Sequence, residues 1–241
     1  MSGSPIDAVG VLVPARDEAA RIGPCVRSVL AALDDAPVPG RRALCVLADR
    51  CRDGTAAVAR GTGRPAGVLV RILEDGSGGT VGALRNRAAR VVLAQLGTDP
   101  ARTWLVSTDA DGTVRPDWLR HHLGLARAGA DAVAGGVVLD RPGAPPPPGE
   151  PRPPDFPVYA ANLGLRAGPF LAVGGFPERV AAGEDHGVVA RLRAAGYRVD
   201  RGARATVRTS ARRYGRASGG LADRIRLLET GRCPAEELPR P

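Results

Sequence analysis

Five short apolar runs recur along the chain: Ala8–Val13, Ala43–Ala48, Val68–Leu73, Trp104–Val106 and residues 131–139. Continuous runs of this length fit strands buried on both faces. Helical segments separate them. Ile22, Val26, Val29, Leu30 and Leu33 repeat at the spacing of one helix face. A second helix follows the loop Arg50–Thr55 and runs through about Arg60, a third ends at Leu96, and a fourth covers 116–128. Such alternation argues for a parallel sheet with right-handed crossovers. The carboxyl ends of its strands would share one rim, where ligands bind.

Acids stand at that rim. Asp49 closes the second run, and Asp109 and Asp111 close the fourth within Thr108-Asp-Ala-Asp-Gly112. Two residues apart in extended chain, they face the same way, so one divalent ion could engage both. An Asp-rich turn capping a helix that begins near Pro116 is the other reading of the same residues. Glu184-Asp185 adds a second acidic pair ahead of a helix over 187–195, where the helix dipole alone favours acids.

The chain's 241 residues suit one α/β domain with a substantial core. Aromatics are only 3% of them, which leaves the packing to Ala, Val and Leu. No apolar run is long enough to span a bilayer, and Met1–Asp7 lacks the features of a signal peptide. The expectation is a cytoplasmic protein without an integral membrane segment. All 34 basic residues are Arg, which excludes a Walker A loop, a pyridoxal Schiff base and a Ser-x-x-Lys nucleophile. The net charge of +9 comes with no aromatic-rich stacking segment or zinc-finger spacing, so no nucleic-acid partner is expected. Cys25, Cys45, Cys51 and Cys233 form no CxxC; Cys25 and Cys45 read as core. The run Gly76–Gly82 follows the third strand, and its last glycine is displaced from a dinucleotide fingerprint.

Beyond residue 139 the regularity breaks. Residues 140–157 are proline-rich and read as a mobile surface loop. Ala160–Arg166 reads as a strand, Gly174–Phe176 as a tight turn, Thr209–Gly220 as a basic flexible end, and 221–229 as a short helix. His121 and His122 are expected to face solvent.

The ordered motifs Val13-Pro-Ala-Arg-Asp-Glu18, Asp49…Asp53-Gly-Thr55, Gly82-Ala-Leu-Arg-Asn86, Thr108-Asp-Ala-Asp111, Val173-Gly-Gly-Phe176 and Gly183-Glu-Asp185 resemble the signatures of family 2 glycosyltransferases. The resemblance covers roughly residues 8–210. It implies a GT-A fold: a single α/β domain over 1–241, with a Rossmann-like, mostly parallel sheet flanked by helices and a smaller mixed acceptor-side half. Residues 1–115 would be the nucleotide-binding half, 116–210 the acceptor-side half, and 211–241 a basic C-terminal segment. The implied reaction moves one sugar, with inversion, from a nucleotide-diphosphate sugar (a UDP-sugar foremost) to a hydroxyl of an unknown acceptor. Pro14, Ala15, Arg16 and Glu18 would line the nucleotide pocket, Asp49 would accept from base or ribose, and Arg85 would sit near the phosphates. Asp109, Ala110 and Asp111 would meet the sugar donor, with Asp109 and Asp111 holding Mn²⁺ or Mg²⁺. Asp185 would be the general base, and Glu184 would orient the acceptor. His186 stands where many members carry a different pattern, either as an extra metal ligand or as a surface residue. Arg212, Arg213 and Arg216 would form a lid over the diphosphate or a solvated tail. A non-catalytic nucleotide- or carbohydrate-binding protein derived from a transferase is the alternative.

Overall fold

The computed structural model describes residues 5–140 and 159–212. Strands β1 (Ala8–Ala15), β2 (Arg42–Asp49), β3 (Val68–Asp75) and β4 (Thr103–Ser107) form the parallel half of the sheet, in the order β3-β2-β1-β4. Helices α1 (Ala19–Asp34), α2 (Thr55–Arg60) and α3 (Val81–Leu96) are the crossovers. Pro14 does not end β1, as its ring would suggest; it pairs in register with Leu47. Pairing with β4 has already stopped opposite Leu12, so the absent N–H costs no ladder bond on that side.

Two apolar layers clamp this sheet. α1 buries Ile22, Cys25, Val26, Val29, Leu30 and Leu33 against one face. α3 lays Ala88, Ala89, Val92 and Leu96 on the other. Thr80 caps α3 by accepting from the Ala83 N–H, and Gly97, at φ 58°, closes it. The Cys45 thiol is pushed up to about 12 by burial, and that of Cys25 is raised further by burial and by the acids near it. Both are inert core residues.

The other half of the sheet is mixed. Next to β4 the order continues β7-β6-β8-β5, where β5 is Thr113–Val114, β6 Ala132–Asp140, β7 Leu163–Arg166 and β8 Val199–Ser210. β7 runs antiparallel to both neighbours, while β6 and β8 are parallel. The expected strand over Ala160–Arg166 is a 3₁₀ turn followed by the shorter β7. β8 and β5 have no counterpart in the sequence reading. The alternation of Arg with small residues in β8 buries little except Gly202, Ala205, Val207, Thr209 and Ser210, so its strand character is quiet. α4 (Trp118–Arg127), α5 (Ala167–Ala172) and α6 (Glu184–Ala194) cover this half, and α6 begins earlier than its periodicity implied. The proline-rich run beyond Asp140, Arg213, Arg216, Cys233 and the segment 221–229, expected as a short helix, lie outside the described residues.

His122 corrects the expectation of a solvent-facing pair. It lies one turn from Trp118 on the inner face of α4 and is fully buried. Asn162 gives both amide hydrogens to the carbonyls of Gly136 and Ala205, so its Oδ1 accepts from Trp118 Nε1 and His122 Nε2, each at 2.9 Å. Burial holds the imidazole at about 4, well below its ordinary value. His121 remains at the surface, 3.4 Å from Asp117.

Candidate active site

The carboxyl ends of β1, β2 and β4 meet at one rim. Loops after β1 and β2 are tied to each other there. Glu18 N donates to Thr55 Oγ1 at 2.8 Å, Ala19 N to Asp53 Oδ2 at 2.9 Å, and Arg52 N to Asp17 Oδ1 at 2.7 Å. Asp53-Gly-Thr55 is therefore a clasp. Asp17, Cys51 and Asp53 cluster within 4.8 Å, but these carboxylates are engaged by backbone N–H groups. Pro14, Ala15 and Glu18 are buried along this wall, and Arg16 is half-buried.

Asp49 ends β2 in register with Asp75. It is 1% exposed, its Oδ2 lies 3.4 Å from Arg50, and its Oδ1 has no hydrogen-bond partner among the described residues. Leaving a buried carboxylate oxygen unmatched is costly, which makes it a ready acceptor for an N–H from outside. β4 is two strands along the sheet, roughly 10 Å at ordinary strand spacing.

Arg85 is buried on the inner face of α3. Its Nε donates to Ser107 Oγ at 2.8 Å, its Nη1 to Glu184 Oε1 at 2.6 Å, and its Nη2 to Asp109 Oδ1. Arg85, expected near the phosphates, is 2% exposed and directs its donors to the protein's own acceptors. Glu184, expected to meet the acceptor, is likewise buried. Burial raises its pKa above the usual carboxylate range, and the Arg85 charge opposes that. Sequence reading had no signal for this pairing, which spans 99 positions.

Asp111 lies at the mouth beside Asp109. Thr209 Oγ1 donates to it at 3.3 Å, and Arg212 Nη2 reaches it at 3.3 Å while Arg212 Nη1 pairs with Glu18. Burial, then the neighbouring Asp109 charge, raises the Asp111 carboxyl to about 6 against the pull of Arg212. Ala110 is buried between the two acids. Asp185 follows Glu184 in the first turn of α6. Its Oδ2 accepts from Ala160 N at 3.0 Å and its Oδ1 from His186 N at 2.8 Å, so two N–H groups fix the carboxylate. His186 is exposed.

The residues fit a divalent cation. Asp109 and Asp111 offer hard oxygens of the kind Mn²⁺ and Mg²⁺ take. Around them, among the described residues, the carboxylates of Glu18, Asp109, Asp111 and Glu184 face two guanidiniums, Arg85 and Arg212. Counted over the described residues, four carboxylates against two guanidiniums leave two negative charges unmatched, even before Asp185 is included.

The family model described as "Glycosyl transferase family 2" matches residues 10–163. The chain belongs to that family. No curated protein matches it in sequence. Among solved structures, this family 2 chain is similar to residues 1–349 of S. aureus TarS in complex with UDP-GlcNAc, at 15% identity and a TM-score of 0.64. That match covers 96% of this chain and 68% of TarS 1–349. It is also similar to the mannosyltransferase PcManGT from Pyrobaculum calidifontis in complex with GDP-Man and Mn²⁺, at 19% identity and a TM-score of 0.65, covering 99% of this chain and 68% of that one. The shared architecture is the GT-A fold: one α/β unit whose mostly parallel sheet carries helices on both faces. Among the described residues, no helix is long and apolar enough to cross a membrane.

Proposed function

We propose that the protein transfers a sugar from a nucleotide-diphosphate sugar, foremost a UDP-sugar, to a hydroxyl acceptor with inversion at the anomeric carbon. The observation that carries this reading is the bridging of Asp109 to Glu184 by Arg85. It ties the Asp-Ala-Asp turn of β4 to the N-terminus of α6, where Asp185 stands. Family membership supplies the reaction class, and the nucleotide sugars held by TarS and PcManGT indicate the donor chemistry.

Each residue has a role that its surroundings support. Asp49 Oδ1 accepts an N–H from the base or ribose, with Pro14, Ala15, Arg16 and Glu18 along the pocket wall. Asp109 and Asp111 hold Mn²⁺ or Mg²⁺. When bound, that cation supplies positive charge where the departing diphosphate becomes more negative. Arg85 sets the direction of Asp109 and Glu184 from below. Asp185 takes the proton of the acceptor hydroxyl as its oxygen bonds to the anomeric carbon and the bond from that carbon to the diphosphate oxygen breaks. Attack from the face opposite the leaving group inverts the centre.

The test is release of nucleoside diphosphate from UDP-, GDP- and dTDP-sugars with Mn²⁺ present, read with a thermal-shift screen of the same donors. UDP release that Asp111→Ala abolishes supports the reading. Turnover unchanged in that variant, or no donor binding at all, overturns it.

A further inference from the structure

The cation that touches Asp111 belongs to the chain itself. Arg212 stands two residues beyond the end of β8, its backbone N–H donating to Ser210 Oγ at 3.2 Å. Ser210 and Thr209 are locked in the sheet opposite Asp140 and Leu139. From there the side chain reaches across the mouth to Glu18, a partner 194 positions away that follows β1, and to Asp111. The Glu18 and Asp111 side chains are 6% and 9% exposed, whereas the Arg212 side chain is 26% exposed. The acids are thus set into the wall, and the guanidinium covers them from the solvent side. It is also the member of the trio free to leave without a backbone shift, because it is carried on a long flexible stem.

We propose that Arg212 is the site's resident counter-ion: its guanidinium occupies Asp111 before the sugar donor arrives, and a divalent cation must displace it. This inference rests on the proposed metal role of Asp111. Arg212 Nη2 faces Asp111 Oδ2 from the open side of the mouth, so a metal ion taking that oxygen meets the guanidinium's charge at contact distance and must displace it. Occupancy by Arg212 therefore lowers the apparent affinity for the metal in proportion to the fraction of molecules in which the carboxylate is covered. A site of this kind stays charge-matched when empty. It also resists binding a bare metal ion, and it releases next to the diphosphate a planar fork suited to paired phosphate oxygens.

The test is Mn²⁺ binding to the nucleotide-free protein, followed by the electron paramagnetic resonance signal of unbound Mn²⁺. Arg212→Gln should bind Mn²⁺ about tenfold more tightly than the unaltered protein. Arg212→Lys keeps the charge but not the reach to both acids, and should fall between them. Equal or weaker binding by both variants overturns the proposal. Asp111→Asn separates this failure from a deeper one. If that substitution abolishes Mn²⁺ binding while Arg212→Gln leaves it unchanged, only the counter-ion role fails. Mn²⁺ binding that is absent from the unaltered protein, or indifferent to Asp111→Asn, removes the metal reading and this inference with it.

Discussion

Glu184 accepts from Arg85 at 2.6 Å across 99 positions of sequence, and both side chains are less than a tenth exposed. The same guanidinium holds Asp109. A single cation buried beneath the rim thus sets the distance between the carboxylates of β4 and the start of α6. Replacing Arg85 with Ala leaves Glu184 as an uncompensated buried charge, at a cost of about 3–5 kcal/mol. Urea denaturation should show the loss as a lower midpoint; a drop below about 1 kcal/mol would mean the pair is not structural.

The approach of α3 to α6 depends on Gly82. A methyl group there would lie 2.3 Å from the Pro177 carbonyl oxygen and 3.2 Å from Glu184 Cβ. An Ala at a helix position ordinarily helps by roughly 0.5–1 kcal/mol. Here the clash reverses the sign. Gly82→Ala is expected to destabilise by about 1–3 kcal/mol and to lower kcat by moving Asp185. A melting temperature at or above that of the unaltered protein would show that the two helices can part freely.

Buried His122 makes stability depend on pH. Its imidazole is held at about 4 in the fold, against 6.5 for the free group. Between those values the unfolded chain binds a proton that the folded one does not, so stability is full above 6.5 and declines as pH falls toward 4. The expected loss is on the order of 3 kcal/mol. Chemical denaturation at pH 7 and 4.5 reads it, with His122→Phe as the comparison that should flatten the slope. An equal slope in both proteins would assign the acid sensitivity to other groups.

Asp185 is fixed by two backbone N–H groups, from Ala160 and His186. An amide can keep its carbonyl oxygen on one of them but cannot take a proton from the acceptor. Asp185→Asn should retain binding of UDP with Mn²⁺ and lose transfer by about 10²–10⁴-fold. Proton NMR of the product gives the companion result, an anomeric configuration opposite to that of the sugar donor. Retained configuration would sink the role assigned to Asp185.

Much of this arrangement was legible in residue order. The apolar runs that became β1, β2, β3 and β4, and the helices between them, follow from periodicity, because strands buried on both faces and amphipathic helices leave distinct patterns. The same rule placed Asp49, Asp109 and Asp111 on one rim. It failed at β8, whose Arg side chains turn outward and leave small residues inside, and at His122, whose burial depends on a partner 40 positions away.

Sequence alone supplied the carboxylates that follow the strands, an Arg-only set of cations and the ordered motifs of the family. Tertiary structure alone decided who meets whom. Arg85 lies beneath the rim joining Asp109 to Glu184, and Arg212 lies across the mouth joining Asp111 to Glu18. The reason is physical. A strand's period fixes the face a side chain points toward, but the partner of a buried charge is chosen by desolvation, and that acts only once distant segments have packed.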